Sequence, residues 1–156
     1  KSRIIGIDNE SDVTFLGIGP PKFDSSNIST YNIDQGNKQQ LTDWVREMNI
    51  KFDIIIDDGA HRSAPQQTSI GVLFPYVKSG GFYVIEDLAT MNHYEEEIHY
   101  DQNTLNLIKN FMDNKTFDSE YMNDIEKEYI INNSGQSFLY DDEKGIKDQL
   151  WILTKK

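Results

Sequence analysis

Asp57-Asp58-Gly59-Ala60-His61 places two carboxylates and an imidazole directly after the apolar run Ile54-Ile55-Ile56. A second apolar run, Tyr83-Val84-Ile85, ends in Glu86-Asp87. Acids clustered in this way suit a hard divalent cation such as Mg²⁺, which takes oxygen ligands. A histidine three positions after Asp58 can reach the same crevice and act as a general base. The plain alternative is that Asp58 closes a strand-to-loop turn and Glu86-Asp87 begins a solvated loop. A turn needs only one Asp-Gly, so the second carboxylate and the histidine favour a functional site.

These residues need elements to position them. Residues 3–8 and 28–33 read as strands, and residues 52–57 as a strand apolar on both faces, expected of a parallel strand covered by helices on each side. Residues 82–86 form the next strand. Between them, 37–49 carries Leu41, Trp44, Val45 and Met48 at helical spacing. Residues 63–74 open with Ser63 as the expected N-cap, Gln66 completing a capping box and Pro65 in the first turn. Residues 78–81 are expected to turn the chain into the strand at 82. Helical patterns follow at 103–112 and 119–129. Residues 136–142 and 148–155 read as a closing pair of strands, with 148–155 an antiparallel partner at the sheet's edge. The alternation predicts an open α/β sheet with right-handed crossovers. In such sheets ligands bind outside the carboxyl ends of the strands, where both acidic pairs fall. If the two strands are neighbours about 4.8 Å apart, four carboxylates share one crevice and raise one another's pKa unless a cation neutralises them.

The bulk properties narrow the partners. The chain has 156 residues, enough for one domain with a real core. Its 15 Lys and Arg against 26 Asp and Glu give a formal charge of −11, which disfavours nucleic acid and anionic membrane surfaces. With no cysteine there is no disulfide framework and no thiolate metal site, a composition compatible with the cytoplasm. No apolar run approaches the ~20 residues of a membrane span. His93 and His99 flank an acidic run, Glu95-Glu96-Glu97, that reads as a solvated face.

The string FDIIIDDGAH (52–61) coupled to LFPYVKSGGFYVIEDL (73–88) resembles the class I S-adenosylmethionine-dependent methyltransferases. Within these it is similar to the macrocin- and mycinamicin-type sugar O-methyltransferases, with cephalosporin-hydroxylase-like proteins as relatives. The likeness runs from about Ile4 to Leu88, and more loosely through the terminal LWILTKK. It implies a Rossmann-like sheet, mostly parallel with an antiparallel edge. It also implies Mg²⁺ held by Asp58, Glu86 and Asp87, and His61 as the base. Asp8 would accept hydrogen bonds from the cofactor ribose, Asp34 and Gln35 would lie near the adenine, and Asp57 would face the cofactor. Ile33 replaces a family glycine, and Ala60 a frequent serine.

The first strand and glycine-rich loop of such folds have no counterpart here. FLGIGPP (15–21), whose glycines precede two prolines, reads as a flexible connection. Residues 1–156 are therefore expected to be a single methyltransferase-like domain, a fragment of a longer enzyme lacking its N-terminal strand and loop. The expected function is Mg²⁺-assisted methylation of a hydroxyl on a sugar or sugar-bearing small molecule, with self-association left open. The alternatives are a non-catalytic methyltransferase-like binding module, and metal-assisted hydrolysis, against which Asp8 argues.

Overall fold

The protein is described by a computed structural model covering residues 2–9, 26–88, 103–140 and 149–156. Strands β1 (Ile4–Asp8) and β2 (Ile28–Asn32) pair in parallel. Strands β3 (Phe52–Asp57), β4 (Val77–Ile85), β5 (Ser134–Tyr140) and β6 (Leu150–Lys155) form a second sheet in the order β3-β4-β6-β5. The β3–β4 pairing is parallel, as expected; β6 runs antiparallel to both β4 and β5. Thus 148–155 does not supply the outermost strand: β6 lies inside and β5 takes the edge. The single continuous sheet expected from the sequence is two sheets among the described residues.

Helix α1 (Lys38–Met48) is capped by the Asn37 side chain, which accepts from Gln40 N, and buries Leu41, Trp44 and Val45. Helix α2 (Ser63–Leu73) departs from expectation at its start. Arg62 is the N-cap and makes no side-chain cap bond. Ser63 and Gln66 are both buried and serve tertiary contacts instead. Ser63 Oγ accepts from Thr104 N at 3.2 Å, and Gln66 Nε2 donates to Glu86 O at 3.4 Å. Gln67, also buried, accepts from Ser119 Oγ at 2.6 Å. A polar side chain out of water needs such a partner, so this helix is tied by hydrogen bonds to the start of α3 (Thr104–Asn114) and to the chain beyond it. Helix α4 (Asp124–Asn133) starts later than the pattern at 119 suggests, where Asn123 and Glu126 form a reciprocal capping box.

The segment 78–81 lies within β4 and is not a free turn. Gly80 takes φ +76°, open to glycine. A Cβ on Gly81 would stand 2.6 Å from Asp53 O, so only glycine lets the strand pass. The register slips between Phe52 and Ile54 at this point.

Alternation along the strands sends Tyr83, Ile85, Trp151 and Leu153 into one core with Ile108, Phe111 and Phe117. Phe111 meets Trp151 edge-on at 6.2 Å between ring centroids. The opposite face was expected to be covered, yet Ile54 is 54% and Ile56 60% exposed. Ile56, Val84, Ile152 and Phe138 stand in register across all four strands. The described helices bury only the other face.

This two-sidedness gives a direct test. Trp151→Ala should destabilise the fold by roughly 3–5 kcal/mol through a core cavity. Ile56→Thr, two strands away on the bare face, should change stability by less than about 1 kcal/mol. Urea unfolding of the two variants would check the contrast.

Candidate functional site

The parallel pairing of β3 with β4 brings their carboxyl ends together, and Glu86 N extends the ladder by donating to Asp57 O at 3.0 Å. The strands' alternation then separates the two aspartates. Asp57, opposite Ile85, turns under α2 and is 6% exposed; Asp58 faces solvent.

Asp58, His61 and Asp87 converge. One ligand atom from each lies within 4.8 Å of the others. His61 Nε2 is 4.0 Å from Asp58 Oδ1, and Nδ1 is 3.6 Å from Asp87 Oδ2. His61 Nδ1 is buried without a hydrogen-bond partner. His61 and Asp87 both occupy the left-handed region, at φ 50° and 54°. For residues bearing a Cβ this costs on the order of 1–3 kcal/mol each, and it persists only where surroundings hold it. Two acidic oxygens converging at the strand ends fit a divalent cation, and the unsatisfied imidazole nitrogen beside them fits a base. Glu86 is not in this group: its carbonyl accepts from Gln66, and the following residue carries the carboxylate into the cluster.

Asp57 lies behind the cluster. Its Oδ1 accepts from Gln35 Nε2 at 2.9 Å, while Oδ2 has no well-aligned partner. Burial pushes the Asp57 carboxyl above its ordinary 3.8, opposed by the Gln35 amide, the Gly59 N–H, the Ser69 hydroxyl and the field of His61. Tyr83, fully buried, donates its hydroxyl to Ser69 Oγ at 3.0 Å. Burial, and after it the Asp57 charge, drives the Tyr83 pKa well up.

Asp8 and Asp34 sit at the carboxyl ends of β1 and β2. Asp8 O accepts from Ile33 N, and Asp34 Oδ1 accepts from Gly36 N at 2.8 Å in a tight turn. That turn carries Gln35 to Asp57. The structure therefore groups Asp58, His61 and Asp87 in one cluster and Gln35 with Asp57 in another, and leaves Asp8 and Asp34 on the neighbouring sheet. His93, His99 and the acidic run between them lie outside the described residues. Ser69 and Tyr83 were not singled out from the sequence. The signal for Ser69 was a helix whose middle, Gln66-Gln67-Thr68-Ser69, is polar without charge; Tyr83, within an apolar strand, carried none.

The fold is the Rossmann-like methyltransferase fold. The MycE methyltransferase from the mycinamycin biosynthetic pathway, in complex with Mg, SAH and mycinamycin VI, superposes with a TM-score of 0.68 at 25% identity, over 98% of this chain and 36% of that one. The chain is similar to sugar O-methyltransferases of the kind its motifs resemble. It shares 40% identity over 79 residues with L-olivosyl-oleandolide 3-O-methyltransferase of Streptomyces antibioticus, or 48% of this chain and 20% of that protein. With mycinamicin VI 2''-O-methyltransferase of Micromonospora griseorubida it shares 45% over 67 residues, or 43% and 16%. The matches thus span a fifth or less of these curated relatives. No family model matches the chain. Among the described residues no helix is long and apolar enough to cross a membrane.

The raised Asp57 pKa has a definite sign. Between the unfolded and folded values the folded protein binds more protons, so this contribution to stability falls as pH rises through that window. Asp57→Asn removes the component. The stability difference between variant and wild type should shift in the variant's favour from about pH 4 upward, as read by urea midpoints at a series of pH values.

Proposed function

We propose that the protein is the site-bearing part of an S-adenosylmethionine-dependent, Mg²⁺-assisted O-methyltransferase acting on a hydroxyl of a sugar-bearing small molecule. The observation that carries this reading is the convergence of Asp58, His61 and Asp87 at the carboxyl ends of two parallel strands. The similarity to curated sugar O-methyltransferases, and to a methyltransferase solved with Mg and SAH, supports it.

In this reading Asp58 and Asp87 offer carboxylate oxygens to Mg²⁺, with Glu86 held back from the cluster. When bound, Mg²⁺ supplies Lewis acidity toward the acceptor hydroxyl and S-adenosylmethionine supplies an electrophilic methyl group. His61 takes the hydroxyl proton at an imidazole nitrogen. Asp8 and Asp34 accept hydrogen bonds from the nucleoside half of the cofactor. Holding both reactants against one crevice supplies a large share of the rate by proximity.

The experiment is methyl transfer from labelled S-adenosylmethionine to a panel of glycosylated acceptors with free sugar hydroxyls, with and without Mg²⁺. Mg²⁺-dependent label in the sugar supports the reading. A Mg²⁺ response without transfer, in protein extended to the full length of its gene product, points to a non-catalytic binding module instead.

A ligand that binds only the folded state raises the melting temperature. Mg²⁺ should therefore raise it for wild type and for Glu86→Gln, and leave Asp58→Asn and Asp87→Asn unchanged. His61→Ala should keep the increment and lose methyl transfer, because a base is not a ligand. Differential scanning calorimetry beside the transfer assay checks each arm.

A further inference from the structure

We propose that Gln35 is a positioning residue for the Asp58–His61 loop, acting on the metal cluster through hydrogen bonds rather than by touching cofactor or metal. The inference rests on reading Asp58 and Asp87 as metal ligands with His61 beside them as the base.

Gln35 uses both ends of its carboxamide on one five-residue segment. Its Nε2 donates to Asp57 Oδ1 at 2.9 Å, and its Oε1 accepts from Ala60 N at 2.9 Å. Between these anchors lie Asp58 and Gly59. A Cβ built on Gly59 would stand 1.8 Å from Gln35 Oε1 and 2.9 Å from its Cδ. The carboxamide therefore lies across the space a side chain would fill, and Gly59 is needed for this close approach, since it is not among the residues at positive φ. Asp58 lies inside the clamped stretch and His61 follows it. His61 follows the clamped Ala60 directly and sits in the left-handed region; such a conformation needs its neighbours held.

The clamp is itself anchored. Asp34 Oδ1 accepts from Gly36 N, and Gln40 Oε1 accepts from Asp34 N at 3.0 Å, which fixes the turn presenting Gln35. On its other side Gly36 faces Pro65, with a built Cβ 3.6 Å from Pro65 Cγ, in the first turn of α2. Gln35 thereby joins the β1–β2 sheet to the metal loop. Both polar ends of the carboxamide are engaged on protein, a role distinct from the adenine contact that the sequence resemblance implies.

Groups that orient ligands without binding the metal commonly contribute a factor of about 10–100 in affinity. The test uses Mn²⁺ as a paramagnetic substitute, titrated by electron paramagnetic resonance, together with hydrogen exchange of the Ala60 amide in metal-free protein. Gln35→Met keeps the volume and removes both bonds. It should weaken Mn²⁺ binding by about tenfold and speed Ala60 exchange. Gly59→Ala should reproduce both effects by evicting the carboxamide without altering residue 35. The double variant should be no weaker than either single one, because the two act through one contact. Wild-type protein that binds no Mn²⁺ overturns the metal reading and this inference with it. Wild type that binds, with Gln35→Met binding equally well, overturns the positioning role alone. Slower loss of S-adenosylmethionine from wild type than from Gln35→Met, with unchanged Ala60 exchange, overturns it in favour of a cofactor contact.

Discussion

A carboxylate removed from water must be met by hydrogen bonds or give up its charge, and Asp57 is such a group at the end of β3. The neighbourhood is organised around that demand. Gln35 reaches across from the turn after β2, Ser69 and Tyr83 approach from α2 and β4, and the chain folds back so that the Gly59 amide points inward. The loop that makes this return is the loop that carries Asp58 outward. The buried acid ends β3 and the exposed acid follows it directly, so holding the first aims the second.

The same logic explains why α2 is polar where most buried helices are apolar. Ser63, Gln66, Gln67 and Ser69 each face a group that must be satisfied: the start of α3, the backbone beyond β4, Ser119 and Tyr83. Such a network gives less hydrophobic stabilisation than leucines would, and more positional definition. That definition serves the cluster, since α2 starts two residues after His61 and Gln66 grips the backbone one residue before Asp87.

Much of this was legible in the sequence, for reasons that differ by element. Apolar runs ending in acids marked β3, the carboxyl end of β4 and the place where the acids gather, because a short apolar run bounded by turn residues suits a buried strand. The pairing that joins the acids followed from strand, helix, strand order. Ser63 and Gln66 misled, because a capping-box pattern describes only local partners and both side chains found tertiary ones. Asn123-x-x-Glu126 carries the same signature and does cap a helix. Which of Glu86 and Asp87 enters the cluster depends on a left-handed backbone at Asp87 that no pattern announces. The inner position of β6 was hidden for a similar reason. Adjacent strands in sequence pair readily, but which of the two then meets β4 is decided by packing, here by Trp151 and Leu153 under the helices.

The left-handed backbones at His61 and Asp87 set the interests of folding and of chemistry against each other. Glycine at either position would relax the chain, more so at 61 than at 87, since aspartate tolerates this region better than most residues. A lineage under selection for stability alone would drift toward glycine at both places, and in doing so would erase the imidazole and one carboxylate together. A relative without need of these side chains should therefore be recognisable by a sturdier fold with glycines at these two corners. The histidine and aspartate present in this chain keep an imidazole and a carboxylate at the cluster in spite of that backbone cost.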